Sequence, residues 1–167
     1  MSISAEPAAL AGLDIRPVDI EDPAAARLMR ELQNYYRDIY GGEDATPYET
    51  DEFRPPRGQF LVAFLDGAAV ACGGWRWHER PDVVEIKRMY VVPEMRRRGL
   101  ARRMLTELER DAAAAGASRV VLMTGTAQPE ALAIYGAAGY RAVEPFGLYA
   151  GYPDARHLGR SLPRHGR

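Results

Sequence analysis

The pattern that most constrains the fold is an alternation of strand and helix signals through the second half of the chain. An apolar strand ends at Pro93, and the helix that follows shows apolar residues four positions apart until Gly116. The expected elements are a strand at 83–92, a helix at 97–116, a strand at 119–124, a helix at 129–138 and two short strands within 140–162. Strands that alternate with helices in this way predict a mixed α/β sheet covered by helices.

The first half of the chain predicts antiparallel strands that extend the same sheet. Its most specific signal is Asp66-Gly67, because Asp-Gly between two apolar runs favours a tight turn that joins neighbouring strands. The expected elements are an edge strand at 13–18, a helix at 23–40, a loop or broken helix at 43–58, and strands at 59–65 and 68–77.

Chain length sets the domain organisation that we expect. The chain has 167 residues, which suits one domain with a sizeable core better than two. We therefore expect a single domain over 1–167, with an ordered core at about 13–162 and frayed ends at 1–12 and 163–167.

Composition limits the partners and the compartment. Lys and Arg total 22 against 23 Asp and Glu, so no overall basic field favours nucleic acid or an anionic membrane as a partner. No stretch reaches the roughly 20 apolar residues that span a bilayer. The single cysteine, Cys72, excludes an internal disulfide and suits a reducing compartment. We expect a cytoplasmic protein with no membrane partner and, because the histidines lack ligand spacing, no metal.

Five arginines crowd the predicted start of the helix after Pro93, at positions 96, 97, 98, 102 and 103. A helix N-terminus carries partial positive charge and favours acids, so this cluster is costly unless an anion binds there. Gly99 would let the backbone approach such an anion without a Cβ atom in the way. The alternative is a solvated basic helix start whose side chains extend into water. The residues alone favour these two interpretations equally.

Three segments, in order, resemble the cofactor motifs of the GNAT superfamily of N-acetyltransferases. Arg96-x-x-Gly99-x-Ala101 resembles the pyrophosphate loop, 85–90 resembles the central fourth strand, and Ala131-x-x-Ile134-Tyr135-x-x-x-Gly139-Tyr140 resembles the second cofactor motif. These matches cover about 59–140, roughly half of the chain. The resemblance implies the GNAT fold, of α/β (α+β) class. Its mixed, mostly antiparallel sheet would have six to seven strands, about four flanking helices, and a splay between the fourth and fifth strands.

The same resemblance implies acetyl-CoA as the acyl-donor cosubstrate and direct transfer of its acetyl group to a primary amine in a ternary complex. The pyrophosphate would be held by the turn and helix start, at Arg96, Arg97, Arg98, Gly99, Leu100, Ala101 and Arg102. The pantetheine arm would pair with the splayed strand near Met89 and Val91. Gln128 stands where the family often has Asn, and its longer side chain keeps the amide donor and acceptor. The acceptor would be a small-molecule or peptide amine, and a homodimer stays open.

Acetyl transfer to an amine needs a base, a donor for the oxyanion and an acid for the departing thiolate. The resemblance places the hydroxyl of Tyr135 near the thioester sulfur as the general acid, and the alternative is a core tyrosine. Glu85 has the spacing from Arg96 at which histone-acetylating members carry their general base. An ion pair with Lys87 or Arg88, or an ordinary exposed position, explains this residue equally well. Strict alternation would place Glu85, Lys87, Met89 and Val91 on one face of the strand and Ile86, Arg88 and Tyr90 on the other.

The first helix and the loop after it are the candidate acceptor-binding segments. Their aromatic residues stand among five acids, which would suit a cationic amine, although an ordinary solvated acidic loop is favoured more. A histidine after a tryptophan-bearing strand is either a cleft residue or a turn histidine. The side chains predicted to contact the acceptor are Tyr35, Tyr36, Phe53 and His78.

The alternative function is a non-catalytic acyl-CoA sensor or a nucleic-acid-binding module on the same fold. A sensor would not need a tyrosine placed for the thiolate, and a nucleic-acid module normally carries a wider basic stripe. The sequence therefore favours an enzyme, an N-acetyltransferase, over both.

Overall fold

The computed structural model of the chain describes residues 10–163. Seven strands lie in this range: β1 (Asp14–Pro17), β2 (Gly58–Leu65), β3 (Ala68–Trp77), β4 (Val83–Val91), β5 (Arg119–Gly125), β6 (Arg141–Ala142) and β7 (Ala155–Ser161). They form one sheet in the order β1-β2-β3-β4-β5-β7-β6. Neighbours are antiparallel except for β4 and β5, which run parallel. This arrangement confirms the predicted mixed, mostly antiparallel sheet.

Three α-helices connect the strands: α1 (Pro23–Tyr40), α2 (Leu100–Ala114) and α3 (Pro129–Ala137). Two short 3-10 helices, Thr50–Phe53 and Pro93–Met95, precede β2 and α2. Within residues 10–163, three α-helices and two 3-10 turns thus stand where about four helices were expected. None of the helices in this range combines the length and the apolar character needed to cross a membrane.

Local sequence signals explain where several elements begin and end. Asp22 accepts a hydrogen bond from Ala24 N at 2.9 Å and caps the start of α1, and Gly41 ends that helix with a φ of 77°. Asp66 and Gly67 have φ values of 50° and 81°. Two consecutive positive φ values are the backbone of the tight hairpin turn that the Asp-Gly pair predicts.

Two glycines in the middle of β3 let layers on both faces of the sheet approach closely. An added Cβ at Gly73 would lie 2.8 Å from Leu108 of α2, and one at Gly74 would lie 2.7 Å from Phe53. Successive residues of a strand point to opposite faces, so α2 covers one face and the segment around Phe53 covers the other. Phe53 is 2% exposed and belongs to the hydrophobic core.

The N-terminal part of the described chain is ordered earlier than predicted. Leu10, expected in a frayed leader, is 3% exposed and joins the core. Leu13 N donates to Leu10 O at 3.1 Å, which fixes the approach to β1. The remainder of the predicted frayed ends, 1–9 and 164–167, lies outside the described residues.

The parallel pair β4 and β5 is joined over only three residues of each strand. The pairs are Val83 with Arg119, Val84 with Val120 and Glu85 with Val121. Beyond them the strands separate, while β3 continues to pair with β4 and β7 with β5. The split predicted between the fourth and fifth strands is confirmed, and the inner edges of both strands border a gap.

Candidate active site

The gap between β4 and β5 opens into a cleft of about 370 Å³. Its floor consists of the separated strands: Ile86, Lys87, Arg88 and Met89 from β4, and Leu122, Met123, Thr124 and Gly125 from β5. Its walls come from α1 and the loop after it (Tyr36, Tyr40, Gly42, Glu43, Asp44), from the α3 region (Gln128, Tyr135), and from the segment leading into β7 (Tyr149, Tyr152, Asp154, Ala155). One cleft therefore collects side chains from widely separated parts of the chain.

A turn with two left-handed residues leads from the end of β4 into α2. Arg97 has a φ of 63° and Gly99 a φ of 82°, so the helix begins at Leu100 and not near Arg97 as predicted. The first helical hydrogen bond runs from Arg103 N to Gly99 O at 3.1 Å, so the amides of residues 100–102 have no partner inside the helix. Among residues 10–163, no side chain caps the N-terminus of α2, and no acidic residue lies in the first turn of that helix. Such a row of backbone donors fits a phosphate group.

The arginines of this turn have two different environments. Arg96 Nε donates to Val91 O at 3.1 Å, and its guanidinium lies over the rings of Tyr35 and Tyr90, 5.1 and 5.7 Å from their centres. Arg96 therefore ties the turn to β4 and α1. The exposed arginines are Arg97, Arg98 and Arg102. These three supply the positive surface beside the free amides.

Tyr135 lines the cleft from α3. Its hydroxyl lies 3.7 Å from the Sδ of Met89, and its ring packs against Tyr140 with the centres 5.6 Å apart. Burial raises the pKa of Tyr135 to about 12, so the hydroxyl keeps its proton at neutral and mildly alkaline pH. Tyr135 thus combines the packing of a core residue with a protonated donor at the cleft.

A contact that the sequence did not predict joins α1 to the region where α3 begins. Gln128 Nε2 donates to Tyr40 Oη at 2.8 Å. The Tyr40 ring ends directly against β5, since an added Cβ at Gly125 would lie 2.2 Å from Tyr40 Oη. Residues 88 positions apart form this hydrogen bond, and no local pattern signals such a pairing.

Glu85 lies where β4 and β5 are still paired, and it does not line the cleft. It is 7% exposed and accepts hydrogen bonds from Arg76 Nε at 3.2 Å and Nη2 at 3.1 Å. Arg76 also donates to Glu52 at 2.6 Å. The ion-pair partners expected for Glu85 were Lys87 and Arg88. Arg76 takes that place because the register of β3 and β4 sets it directly opposite Glu85.

A bulge in β4 breaks the predicted alternation of its side chains. The register with β3 shifts between Cys72 and Gly74, and Arg88 has a positive φ of 62°. As a result, Lys87 Nζ and Arg88 Nη2 both approach Asp44 Oδ2, at 2.8 and 3.7 Å. Two consecutive side chains that were expected on opposite faces therefore share one carboxylate.

Asp44 anchors the loop after α1 to the cleft. Burial alone would raise the pKa of Asp44, but the charge of Lys87 and hydrogen bonds with Lys87 and Thr46 outweigh it and lower that pKa to about 2. The next residue, Ala45, donates its amide to Tyr149 Oη at 2.8 Å. This bond joins the loop after α1 to the segment before β7. Tyr149 carried no sequence signal, because it lies between strands and outside every motif.

The four side chains predicted to contact the acceptor occupy different environments. Tyr36 lines the cleft. Tyr35 packs beneath an arginine of the turn after β4, and Phe53 is a core residue. His78 packs edge-on against Phe146, with ring centres 5.1 Å apart, and is not among the residues that line the cleft. Helical spacing identified the apolar face of α1, but it could not identify which turn of the helix overhangs the gap.

Comparisons with known proteins agree with this fold. The family model described as the acetyltransferase (GNAT) family matches residues 25–140. An IAA acetyltransferase of Azospirillum brasilense is 35% identical over 140 residues, which cover 84% of this chain and 90% of that protein. A crystal structure from Klebsiella pneumoniae, described as an acyl-CoA N-acyltransferase, matches with a TM-score of 0.77 and 25% identity over 92% of this chain and 99% of that one. An aminoglycoside 6′-N-acetyltransferase complexed with coenzyme A shares the fold, with a TM-score of 0.67 and 15% identity over 92% and 99% of the two chains.

Proposed function

Because this chain belongs to the acetyltransferase (GNAT) family and is an acetyl-CoA-dependent N-acetyltransferase, we propose that it moves the acetyl group directly to an amine bound in the cleft between β4 and β5. The acceptor is a small-molecule or peptide amine. The observation that carries the proposal is the row of unpaired amides at residues 100–102, next to a gap between strands. The proposed setting is the cytoplasm, which a free and buried Cys72 supports.

The donor side of the cleft, as proposed, is formed by the turn into α2 and the inner edge of β4. Acetyl-CoA supplies an acetyl group activated as a thioester. The amides of residues 100–102 and the left-handed Gly99 suit its pyrophosphate, and the exposed arginines beside them add positive charge. Along the gap, Met89 and Val91 lie beyond the last β4–β5 pair, so their backbone groups on that edge can pair with an extended arm.

Tyr135 is the proposed general acid. Its hydroxyl reaches the cleft with its proton in place, because burial raises its pKa to about 12. The neighbour of the hydroxyl is the Sδ of Met89, which is a weak acceptor. The proton is therefore available to a stronger acceptor such as a departing thiolate.

The proposed route for the proton of the acceptor ammonium is water in the open cleft. Glu85, the base that the resemblance suggested, is held by Arg76 away from the cleft. Asp44 is in the cleft, but its pKa of about 2 makes it a poor base near neutral pH. Neither carboxylate is therefore assigned this role.

Release of free thiol from acetyl-CoA across a panel of primary amines tests the proposal, with mass spectrometry to identify the N-acetylated product. We expect thiol release that depends on the amine and matches the amount of product. A chain that binds acetyl-CoA in calorimetry yet releases no thiol with any amine would be a sensor. Saturable binding of RNA or DNA without any acetyl transfer would support the nucleic-acid module.

A further inference from the structure

Two buried cations and one carboxylate meet beside the loop after α1. Lys87 is 9% exposed and Arg88 is 5% exposed, and both line the cleft. The carboxylate between them is Asp44, which lies 2.8 Å from Lys87 Nζ and 3.7 Å from Arg88 Nη2. One carboxylate neutralises one of two cations. The cluster therefore holds two cations in contact with one carboxylate, and a second anion at this end of the cleft would add a favourable charge partner.

Arg88 is the less satisfied of the two cations. Its Nε is buried and has no hydrogen-bond partner among the described residues. Its guanidinium lies over the ring of Tyr48, 5.3 Å from the centre, and an aromatic face attracts the charge without accepting the N–H. Arg88 also holds a left-handed backbone conformation with a φ of 62°. A strained residue that carries an unpaired buried donor is typical of a binding position.

The position of Arg88 separates it from the proposed pyrophosphate site. Met89, the next residue, contacts the hydroxyl of Tyr135, where the proposed proton transfer occurs. The side chain of Arg88 extends toward the loop that holds Asp44 and Tyr48, whereas the free amides of α2 follow the turn after Val91. The Arg88 guanidinium is thus held at the loop after α1 and not at the turn proposed to bind the pyrophosphate.

We infer that the acceptor of this enzyme carries a carboxylate as well as its amine, and that Arg88, assisted by Lys87, binds that carboxylate. The guanidinium fork matches the geometry of a carboxylate, and Lys87 adds a point charge beside it. Compact amino acids fit this description better than simple alkylamines. The inference rests on the proposed function, because it names the substrate class of the same cleft.

Matched acceptors test the inference on the wild-type enzyme. Three pairs differ only in the carboxylate: tyrosine with tyrosinamide, leucine with leucinamide, and alanine with alaninamide. A fourth pair, phosphoethanolamine with ethanolamine, tests whether the site prefers a phosphate instead. Rates of thiol release are compared as kcat/KM for the neutral amine, which corrects for the different protonated fractions of the two amines at the assay pH. A hydrogen-bonded charge pair is worth roughly 10- to 100-fold. We therefore expect at least one acid to exceed its amide by about tenfold or more.

The variant Arg88→Met removes the charge and keeps the length of the side chain. We expect kcat/KM for the preferred acid to fall by about 10- to 100-fold while the value for its amide changes little, so that the ratio approaches one. The control variant is Arg80→Met, which changes an exposed arginine that does not line the cleft and should leave the ratio unchanged. If Arg88→Met does not fold, the acid-to-amide ratio of kcat/KM is compared between the wild-type enzyme and Lys87→Met, and it should again fall in the variant.

Four results would overturn the inference. The first is equal turnover of acids and amides by the wild-type enzyme, and the second is a preference for phosphoethanolamine alone. The third is an equal loss for both members of a pair in Arg88→Met, which would place Arg88 at the reacting centre. In these three cases the proposed function survives. The fourth, no thiol release with any amine, overturns the proposed function together with this inference.

Discussion

The two sides of the cleft are assembled from the chain in opposite ways. The proposed donor side uses consecutive residues: the turn after β4, Gly99 and the first amides of α2. The proposed acceptor side combines Tyr36, Asp44, Lys87 and Tyr149, which come from a helix, a loop, a strand and a second loop. One side is therefore a local motif, and the other exists only when distant segments pack together.

This difference in construction implies a difference in what holds each side in place. The donor side depends on backbone conformation, namely two left-handed residues and a helix start without a cap. The acceptor side depends on side-chain charge, because the Asp44 carboxylate joins its loop to Lys87 and Arg88. Removal of one charge should loosen the acceptor side and leave the donor side intact.

Tyr135 lies where the two sides meet, and removal of its hydroxyl should reduce the rate more than any other change in this series. We expect Tyr135→Phe to reduce kcat by roughly 10²- to 10⁴-fold with little change in acetyl-CoA affinity, because a positioned general acid is lost while the ring remains. The measurements are thiol release at saturating acceptor and calorimetric binding of acetyl-CoA.

The matched control for that variant is Tyr140→Phe, which removes the neighbouring hydroxyl, bonded to Glu109 at 2.8 Å. This control should affect stability more than rate. The wild-type rate should also not decline between about pH 8 and 10, because Tyr135, with its pKa of about 12, stays protonated there. A loss below about threefold in Tyr135→Phe would contradict the acid role and leave water as the proton donor.

Asp44→Asn should loosen the acceptor side in a way that depends on pH. The folded state holds the pKa of Asp44 at about 2, below the ordinary value of 3.8. The stabilisation is therefore complete above about pH 4 and is lost as the pH falls toward 2. We expect the variant to lower the free energy of unfolding at pH 7 by about 1–2 kcal/mol, and the difference from wild type to shrink in that acid window.

Glu43→Gln is the control for Asp44→Asn, since its neighbouring ion pair with Arg37 is about half exposed and contributes little. Denaturant titrations at several pH values measure both variants. A constant difference between Asp44→Asn and wild type from pH 7 to 2 would disprove the charge anchor.

Tyr40→Phe should have the smallest effect of the series. It removes the hydroxyl that accepts from Gln128 and keeps the ring against β5. One lost hydrogen bond corresponds to about a 2- to 10-fold weaker affinity for acetyl-CoA, with the acid-to-amide preference unchanged. Tyr152→Phe, at an exposed cleft tyrosine, is the control. A change in acceptor preference instead would assign Tyr40 to the acceptor side.

The same contrast explains which features the sequence could predict. The hairpin at Asp66-Gly67 and both ends of α1 follow from the conformational preferences of neighbouring residues, whereas the start of α2 was placed near Arg97, three residues too early. The bulge at Arg88 does not follow, because a period of two along a strand assumes regular pairing. The predicted ion-pair partners of Glu85 were wrong because the register of β3 and β4 places Arg76 directly opposite Glu85.

Errors on the acceptor side have a further physical cause. Composition identified aromatic and acidic residues after α1, but burial decides which of them reach a cleft. Phe53 is in the core and His78 packs on Phe146, whereas Asp44 and Tyr149 line the cleft. These positions depend on packing between segments distant in the chain, for which a single sequence holds no local signal.

The binding of acetyl-CoA to Gly99→Glu, measured by calorimetry, tests the central claim most directly. The variant places a Cβ and a carboxylate beside the amides proposed to hold the pyrophosphate. Gly67→Glu is the control, because Gly67 has a nearly identical φ of 81° and equally open surroundings in the remote β2–β3 turn. We predict that Gly99→Glu weakens acetyl-CoA binding by about 100-fold or more, through lost charge-assisted hydrogen bonds and added repulsion, while Gly67→Glu binds like wild type. Wild-type affinity in a folded Gly99→Glu protein would contradict the claim that this turn binds the cofactor.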